Sequence, residues 1–291
     1  MRLLNVLTSI VLILGVTCEA IATPLYPDLR ERFDPSLQDE LEQTLQRLGL
    51  MPAVQHKQLS VALVDITHLA QPRVAAVNGD EMLYAASLPK IAILLGAFVL
   101  IEQGDMTLDA TTHEVLTNMI RVSSNYAATM MLRRIGKPRL ATILQSDRFR
   151  LYDPTVNGGL WVGKDYGKTP AWKRDPLYHL SHAATALQTA RFYYLLETQQ
   201  LVSPRLCRIM KEMLSQPALR HKFVKGLEEA RPGSKIYRKS GTWRQWHADS
   251  AIVERNGYKY IVVALAHHPE GGRWMSRLIV SLDDLIVHAQ P

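Results

Sequence analysis

The sequence predicts an α/β fold of the α+β kind, in which a five-stranded antiparallel sheet is flanked by terminal helices and carries an inserted all-helical subdomain. Three observations lead there. Runs with strand character lie toward both ends of the chain, at Leu59 to Ile66, Arg73 to Asn78, Ile236 to Trp243, Asp249 to Arg255 and Tyr258 to His267. Between them, roughly from Ala86 to Leu227, apolar residues recur at helical spacing with loop interruptions. Amphipathic helical patterns stand before the first strand and after the last.

Each element has its own signals. Leu37, Leu41, Leu45 and Leu48 repeat as one helix face behind Ser36, an expected N-cap, and Gly49 is placed to close that helix. Gln71-Pro72 supplies turn material between the first two strands, and Asn256-Gly257 is a hairpin signal between the last two. The apolar stretch Ile91 to Ile101 is too short to cross a bilayer and reads as a buried helix. The largest irregular piece, Tyr152 to Leu180, holds four glycines and three prolines and has no period. The last helix is expected over Arg273 to His288. Residues 23–85 and 228–291 would then form the sheet part and 86–227 the helical part, with any cleft between them.

With 291 residues, 47% of them hydrophobic, the chain is long enough for one large core. Met1-Arg2, the apolar run Leu3 to Val16 and Ala20-Ile21-Ala22 have the layout of a secretory signal peptide over residues 1–22, giving an exported, periplasmic or secreted protein. A lipid anchor at Cys18 would need a better processing sequence than Gly15-Val16-Thr17. Cleavage leaves Cys207 alone, so no intramolecular disulfide is expected. The net charge of +7 is spread among acidic residues without a run of five like charges, which argues for a solvated surface and against a nucleic-acid partner. No stable membrane insertion is expected of the mature chain, and a monomer is the simplest assembly. No His-Glu-x-x-His or paired-cysteine pattern accompanies His267-His268, so neither metal nor other cofactor is called for, and a polar strand end suffices.

Three short motifs follow in order. Ser87-Leu88-Pro89-Lys90 opens the apolar helix; Pro89 suits a first helical turn, which puts Ser87 at a helix N-terminus. Lys90 falls one turn away on the same face, where a partly desolvated amine can act as base toward the Ser87 hydroxyl. Alone this is weak, because a chain of this size holds roughly one Ser-x-x-Lys by chance. Ser123-Ser124-Asn125 lies between two helical stretches, where serines and asparagine also break and recap helices; functionally, Ser123 is a proton relay and Asn125 an amide for Lys90 or substrate. Lys239-Ser240-Gly241-Thr242 lies in a strand, and a strand glycine marks either a bulge or the close approach of a ligand.

Taken together and in this order, the three motifs resemble the signature of the serine β-lactamases and penicillin-binding peptidases, class A β-lactamases above all. The resemblance extends to Asn125-Tyr126-Ala127-Ala128 with Met131 to Gly136, to Ala183 to Leu187, and to Leu201-Val202-Ser203-Pro204. It implies that Ser87 attacks an amide carbonyl while Lys90 and Ser123 move the proton to the departing nitrogen. Lys239 would supply positive potential, and the N–H groups of Ser87 and Thr242 an oxyanion hole worth on the order of 3 kcal/mol per donor. Ser240 and Thr242 would hold a carboxylate with Arg244 as auxiliary cation, and the third motif, with Gly241, would lie on the strand bordering the cleft. The partner implied is a small β-lactam or a cell-wall peptide.

Two departures limit the resemblance. The interval from Ser87 to Ser123 is shorter than in class A enzymes, so a more open cleft is expected. The Glu-x-x-Leu-Asn segment that carries the class A deacylating glutamate has no counterpart, since Tyr152 to Leu180 contains no glutamate and offers only Asp153, Asp165 and Asp175. Acylation is thus better supported than hydrolysis of the acyl-enzyme. The readings that remain are a β-lactamase with slow deacylation, a D-amino-acid peptidase, and a non-enzymatic sensor acylated once. Trp243 and Trp246, beside the third motif, are better candidates for the cleft wall than Trp161 and Trp172.

Overall fold

The structure is a computed structural model and describes residues 26–287. The expected signal segment 1–22, Cys18 and His288 lie outside the described residues. Helix α1 (Pro35–Arg47) buries Leu37, Leu41 and Leu45 completely. Its cap is Asp34, not the expected Ser36: Pro35 occupies the first helical position, and the Asp34 carboxylate accepts from Leu37 N at 2.8 Å. Gly49, at φ +70°, makes the left-handed turn that ends this segment before the short α2 (Met51–Gln55).

Strands β1 (Leu59–Asp65) and β2 (Arg73–Val77) follow, then the two-residue β3 (Leu83–Tyr84). The helical layer comprises α3 (Lys90–Gln103), α4 (Ala110–Arg121), α5 (Asn125–Ile135) and α6 (Lys137–Gln145). The irregular stretch is built of short strands β4 (Tyr152–Asp153), β5 (Gly158–Gly159) and β6 (Trp161–Val162), leading to β7 (His182–Ala184). Helices α7 (Ala186–Glu197), α8 (Pro204–Leu214) and α9 (Phe223–Ala230) precede β8 (Lys235–Trp243), β9 (Trp246–Arg255), β10 (Tyr258–His267) and α10 (Gly271–Val287).

The five-stranded sheet has the order β2-β1-β10-β9-β8, and every neighbouring pair in it is antiparallel. Strand periodicity divides its residues between two layers. Val61, Leu63 and Val262 pack with Leu41, Leu278 and Ile279 of the terminal helices, while Ala62, Val64, Ile261 and Val263 pack with the helical layer. Asn256 and Gly257, at φ +52° and +83°, make the hairpin turn between β9 and β10. Helix α3 is apolar on every side and correspondingly buried from Lys90 to Leu100. Among the described residues no helix is long and apolar enough to cross a membrane. Strand β8 is a sheet edge, and that edge faces the start of α3.

Candidate active site

Ser87 sits in a turn between β3 and α3. Ala85 N donates to the His182 carbonyl at 3.0 Å, and the chain then reverses through Ala86 at φ +50°. Successive bonds from Leu88 N to Ala85 O and from Lys90 N to Ser87 O tighten the turn into the helix, so that Lys90 is its first residue. Ser87 is half-buried and lines a cleft of about 560 Å³. Opposite it runs Gly241 of β8. A Cβ there would lie 2.1 Å from the Ala85 carbonyl oxygen and 2.7 Å from Ser87 N. The strand glycine is therefore required by the Ser87 turn, which occupies the space against that backbone.

Three motif residues meet at one hydroxyl. Lys90 Nζ lies 3.2 Å from Ser123 Oγ, and Lys239 Nζ donates to the same oxygen at 2.9 Å. Lys90 also donates to the Ser123 carbonyl at 2.6 Å and to Asn125 Oδ1 at 2.8 Å. Ser123 turns between α4 and α5 at φ +59°, and Ser124 beside it caps α5 by accepting from Ala127 N. Ser123 Oγ thus lies between two lysine amines, and Lys239 donates to it. Burial pushes the Lys90 amine down to about 7. Burial, and then the nearby Lys90 and Arg238, hold Lys239 well below the usual lysine range.

Behind the motif strand lies a group that no sequence signal marked. Arg238 and Asp249, both buried, pair at 2.7 Å across the β8–β9 hairpin. Arg238 further donates to the carbonyls of Leu219 and His221, and Asp249 accepts from Phe223 N. This brings round Lys222, at φ +57°, whose Nζ donates to Gly241 O at 2.6 Å, Thr242 Oγ1 at 2.8 Å and Ala248 O at 3.0 Å. Arg244, the expected auxiliary cation, is instead exposed at the tip of the hairpin with its guanidinium 5.8 Å from the Trp243 ring. It stands in a two-residue turn at φ +52°, and Lys222 is the lysine that contacts Thr242. Ser240 is buried, whereas Thr242 is exposed and lines the cleft.

The cleft walls are aromatic and basic. Tyr84, Tyr166, Trp243 and Trp246 line it, with Lys164 and Lys168 from the irregular segment. Trp246 stacks on His267 at 3.7 Å, and His268 on Trp274 at 4.2 Å, so the histidine pair has aromatic partners beyond a plain strand end. Trp161 is core, 4.8 Å from Tyr152, and Trp172 is exposed.

Each of the three aspartates is occupied. Asp153 accepts from Thr155 N and Oγ1 and pairs with Arg150. Asp175 is fully buried and accepts from the N–H groups of Leu177, Tyr178 and Leu180 and from Tyr152 OH. Asp165 lines the cleft but pairs with Lys137 at 2.6 Å and Arg133 at 2.8 Å. Burial raises its pKa, yet these two cations outweigh burial and hold it below the usual carboxylate range.

A serine at a helix start, facing a Lys-Ser-Gly sheet edge across a shared second serine, places the chain in the superfamily of serine β-lactamases and penicillin-binding proteins. A model of the Beta-lactamase enzyme family matches residues 110–288, and the chain belongs to that family. Among solved structures, it is similar to a variant of PBP-A in an acyl-enzyme complex with penicillin-G, at 18% identity and TM-score 0.65, covering 87% of this chain and 96% of that one. A β-lactamase from Sphaerobacter thermophilus is similar at 14% identity and TM-score 0.64, covering 84% and 94%. A variant of the last common ancestor of Gram-negative bacteria β-lactamase class A gives 18% identity and TM-score 0.65, covering 88% and 100%. No curated protein matches the sequence.

Proposed function

We propose that this chain is a serine acyl-transfer enzyme that opens β-lactams at Ser87 and releases the acyl group slowly. Ser87 Oγ attacks the lactam carbonyl, the new C–O bond forms, and the C–N bond breaks. The proton leaves Ser87 for the neutral Lys90 amine and reaches the departing nitrogen through Ser123. Convergence of Lys90 and Lys239 on Ser123 Oγ, at 3.2 and 2.9 Å, is the observation that carries this reading. The N–H groups of Ser87 and Thr242 would receive the developing oxyanion. Thr242, with Lys222 behind it, would face the substrate carboxylate.

Slow release is supported by the aspartates. Hydrolysis of an acyl-enzyme needs a base on a water, and a positioned base contributes roughly 10² to 10⁴ to such a step. Asp165, the one carboxylate lining the cleft among the described residues, is neutralised by two cations. The same observation favours a second reading, a D-amino-acid peptidase of the cell wall that β-lactams trap. Export with cleavage after Ala22 belongs to either reading, and N-terminal sequencing of the native protein tests it.

The deciding experiment follows intact mass and product release together after mixing with a penicillin. A stoichiometric adduct that persists in wild type and vanishes in Ser87→Ala is the expected result. Fast turnover without an adduct, abolished by Asp165→Asn, would refute slow release and identify Asp165 as the base.

A further inference from the structure

Lys90 is fully buried and has no carboxylate partner among the described residues. Its three hydrogen-bond partners, the Ser123 carbonyl, Ser123 Oγ and Asn125 Oδ1, are all neutral. The face of Tyr166 lies over its Nζ, with the ring centroid 4.6 Å away. The carboxylate next to Tyr166 in sequence, Asp165, is turned to Lys137 and Arg133. The other titratable groups near Lys90 are Lys239 of β8 and His182 of β7, the latter meeting the Tyr166 ring edge-on at 4.2 Å. Neither offers negative charge: Lys239 is a second amine, and burial holds His182 down to about 4, so that it is neutral at pH 7.

Tyr166 is clamped in this position. Its N–H donates to Thr129 Oγ1 at 3.0 Å, and that hydroxyl donates back to the Tyr166 carbonyl at 3.2 Å. Its own hydroxyl reaches the Ala86 carbonyl, next to Ser87, at 3.4 Å. Asp165, tied to α5 and the start of α6, anchors the same segment. A carboxylate that sequence alone offers as a base is an anchor for the aromatic residue beside it.

We propose that Tyr166 is a positioning residue for acylation, its ring sealing the Lys90 amine from water so that the amine serves as base without a carboxylate partner. The inference rests on the acyl-transfer reading above. The ring acts on Lys90 in two opposed ways. An aromatic face attracts an ammonium and would favour the charged form. Excluding water removes the hydration that an ammonium needs and favours the neutral one. Hydration of an ammonium far exceeds what a single ring returns, so exclusion wins, in keeping with the lowered amine.

The test measures the rate of Ser87 adduct formation with a penicillin as a function of pH in wild type and three variants. Tyr166→Phe keeps the ring and should leave the acid limb of the profile where it is. Tyr166→Ser admits water and should move that limb up by at least about one pH unit. Tyr166→Gln, which keeps bulk but brings a polar group, should move it in the same direction and serves if the serine variant does not fold. A limb unmoved in folded Tyr166→Ser or Tyr166→Gln, or moved as far in Tyr166→Phe, would overturn the proposal. Direct titration of Lys90 by NMR of lysine-labelled protein should give the same ordering without substrate. If that ordering holds while wild type forms no adduct, the acyl-transfer reading fails and the sealing of Lys90 stands.

Discussion

Lys222 donates to Thr242 Oγ1 at 2.8 Å and is itself only 4% exposed. A buried lysine is thus committed to the strand that borders the cleft, where its bonds to Gly241 O, Thr242 Oγ1 and Ala248 O hold that strand and orient the Thr242 hydroxyl. A hydrogen bond of this kind contributes about 0.5–1.5 kcal/mol net, which corresponds to about 2- to 10-fold in an equilibrium or rate constant. Lys222→Met is expected to lower acylation efficiency toward penicillins by that factor. Lys222→Arg should recover part of it, and equal efficiency in all three proteins would show that Lys222 only supports the fold.

Gly241 predicts a sharper effect. A methyl group there would meet backbone on the other side, at Ala85 O and Ser87 N, and backbone cannot rotate away as a side chain can. Gly241→Ala should push β8 off the Ser87 turn. Overpacking of this kind costs about 1–3 kcal/mol, so the protein should still fold. Acylation should fall by at least about 100-fold, in line with a small misplacement of reacting groups. Adduct formation at a rate near that of wild type would show that the close approach has no bearing on the nucleophile.

Buried amines also set a pH dependence of stability. Lys90 and Lys222 are both lowered from 10.5 to about 7 by burial. Between those values the unfolded chain holds protons that the folded one has released, so stability rises with pH across that window. Each such lysine contributes a slope of up to about 1.4 kcal/mol per pH unit. Tyr193 and Tyr260, raised by burial, reverse the trend once unfolded tyrosines ionise near 10.0. Denaturant midpoints should therefore climb from pH 7 to about pH 9.5 and fall beyond it. The climb should be shallower in Lys222→Met, and a profile that falls over this range in wild type would contradict the assignment.

The fold was largely legible because its signals are local. Tyr258–His267 is a strand with the bounds its sequence implies, and Asn256-Gly257 meets the positive-φ demand of a two-residue hairpin. The three motifs were legible as residues at fixed spacings, and the chain brings Lys90, Ser123 and Lys239 to one oxygen. Other features rest on partners distant in the chain. Lys222 reaches Thr242 only because Arg238 and Asp249, paired across a hairpin, hold the segment before α9 in place. Asp165 reads as a loop acid until Arg133 and Lys137 come round to it. Even the cap of α1 turned on neighbours: Ser36 and Asp34 are equally good caps in isolation, and Pro35 between them decides.

The sheet order has a consequence for how the chain is made. Strand β1 lies between β2 and β10, and Leu59 pairs with Ala266, so the centre of the sheet joins residues about 200 positions apart. While a ribosome adds about 5–20 residues per second, β1 waits roughly 10 to 40 s for that neighbour. During this interval the apolar faces of β1 and β2 have no complete sheet to join, and the last helix that would cover them does not yet exist. A nascent chain of this topology therefore cannot complete its central sheet pairing, and with it the core on either side, until β10 has been made.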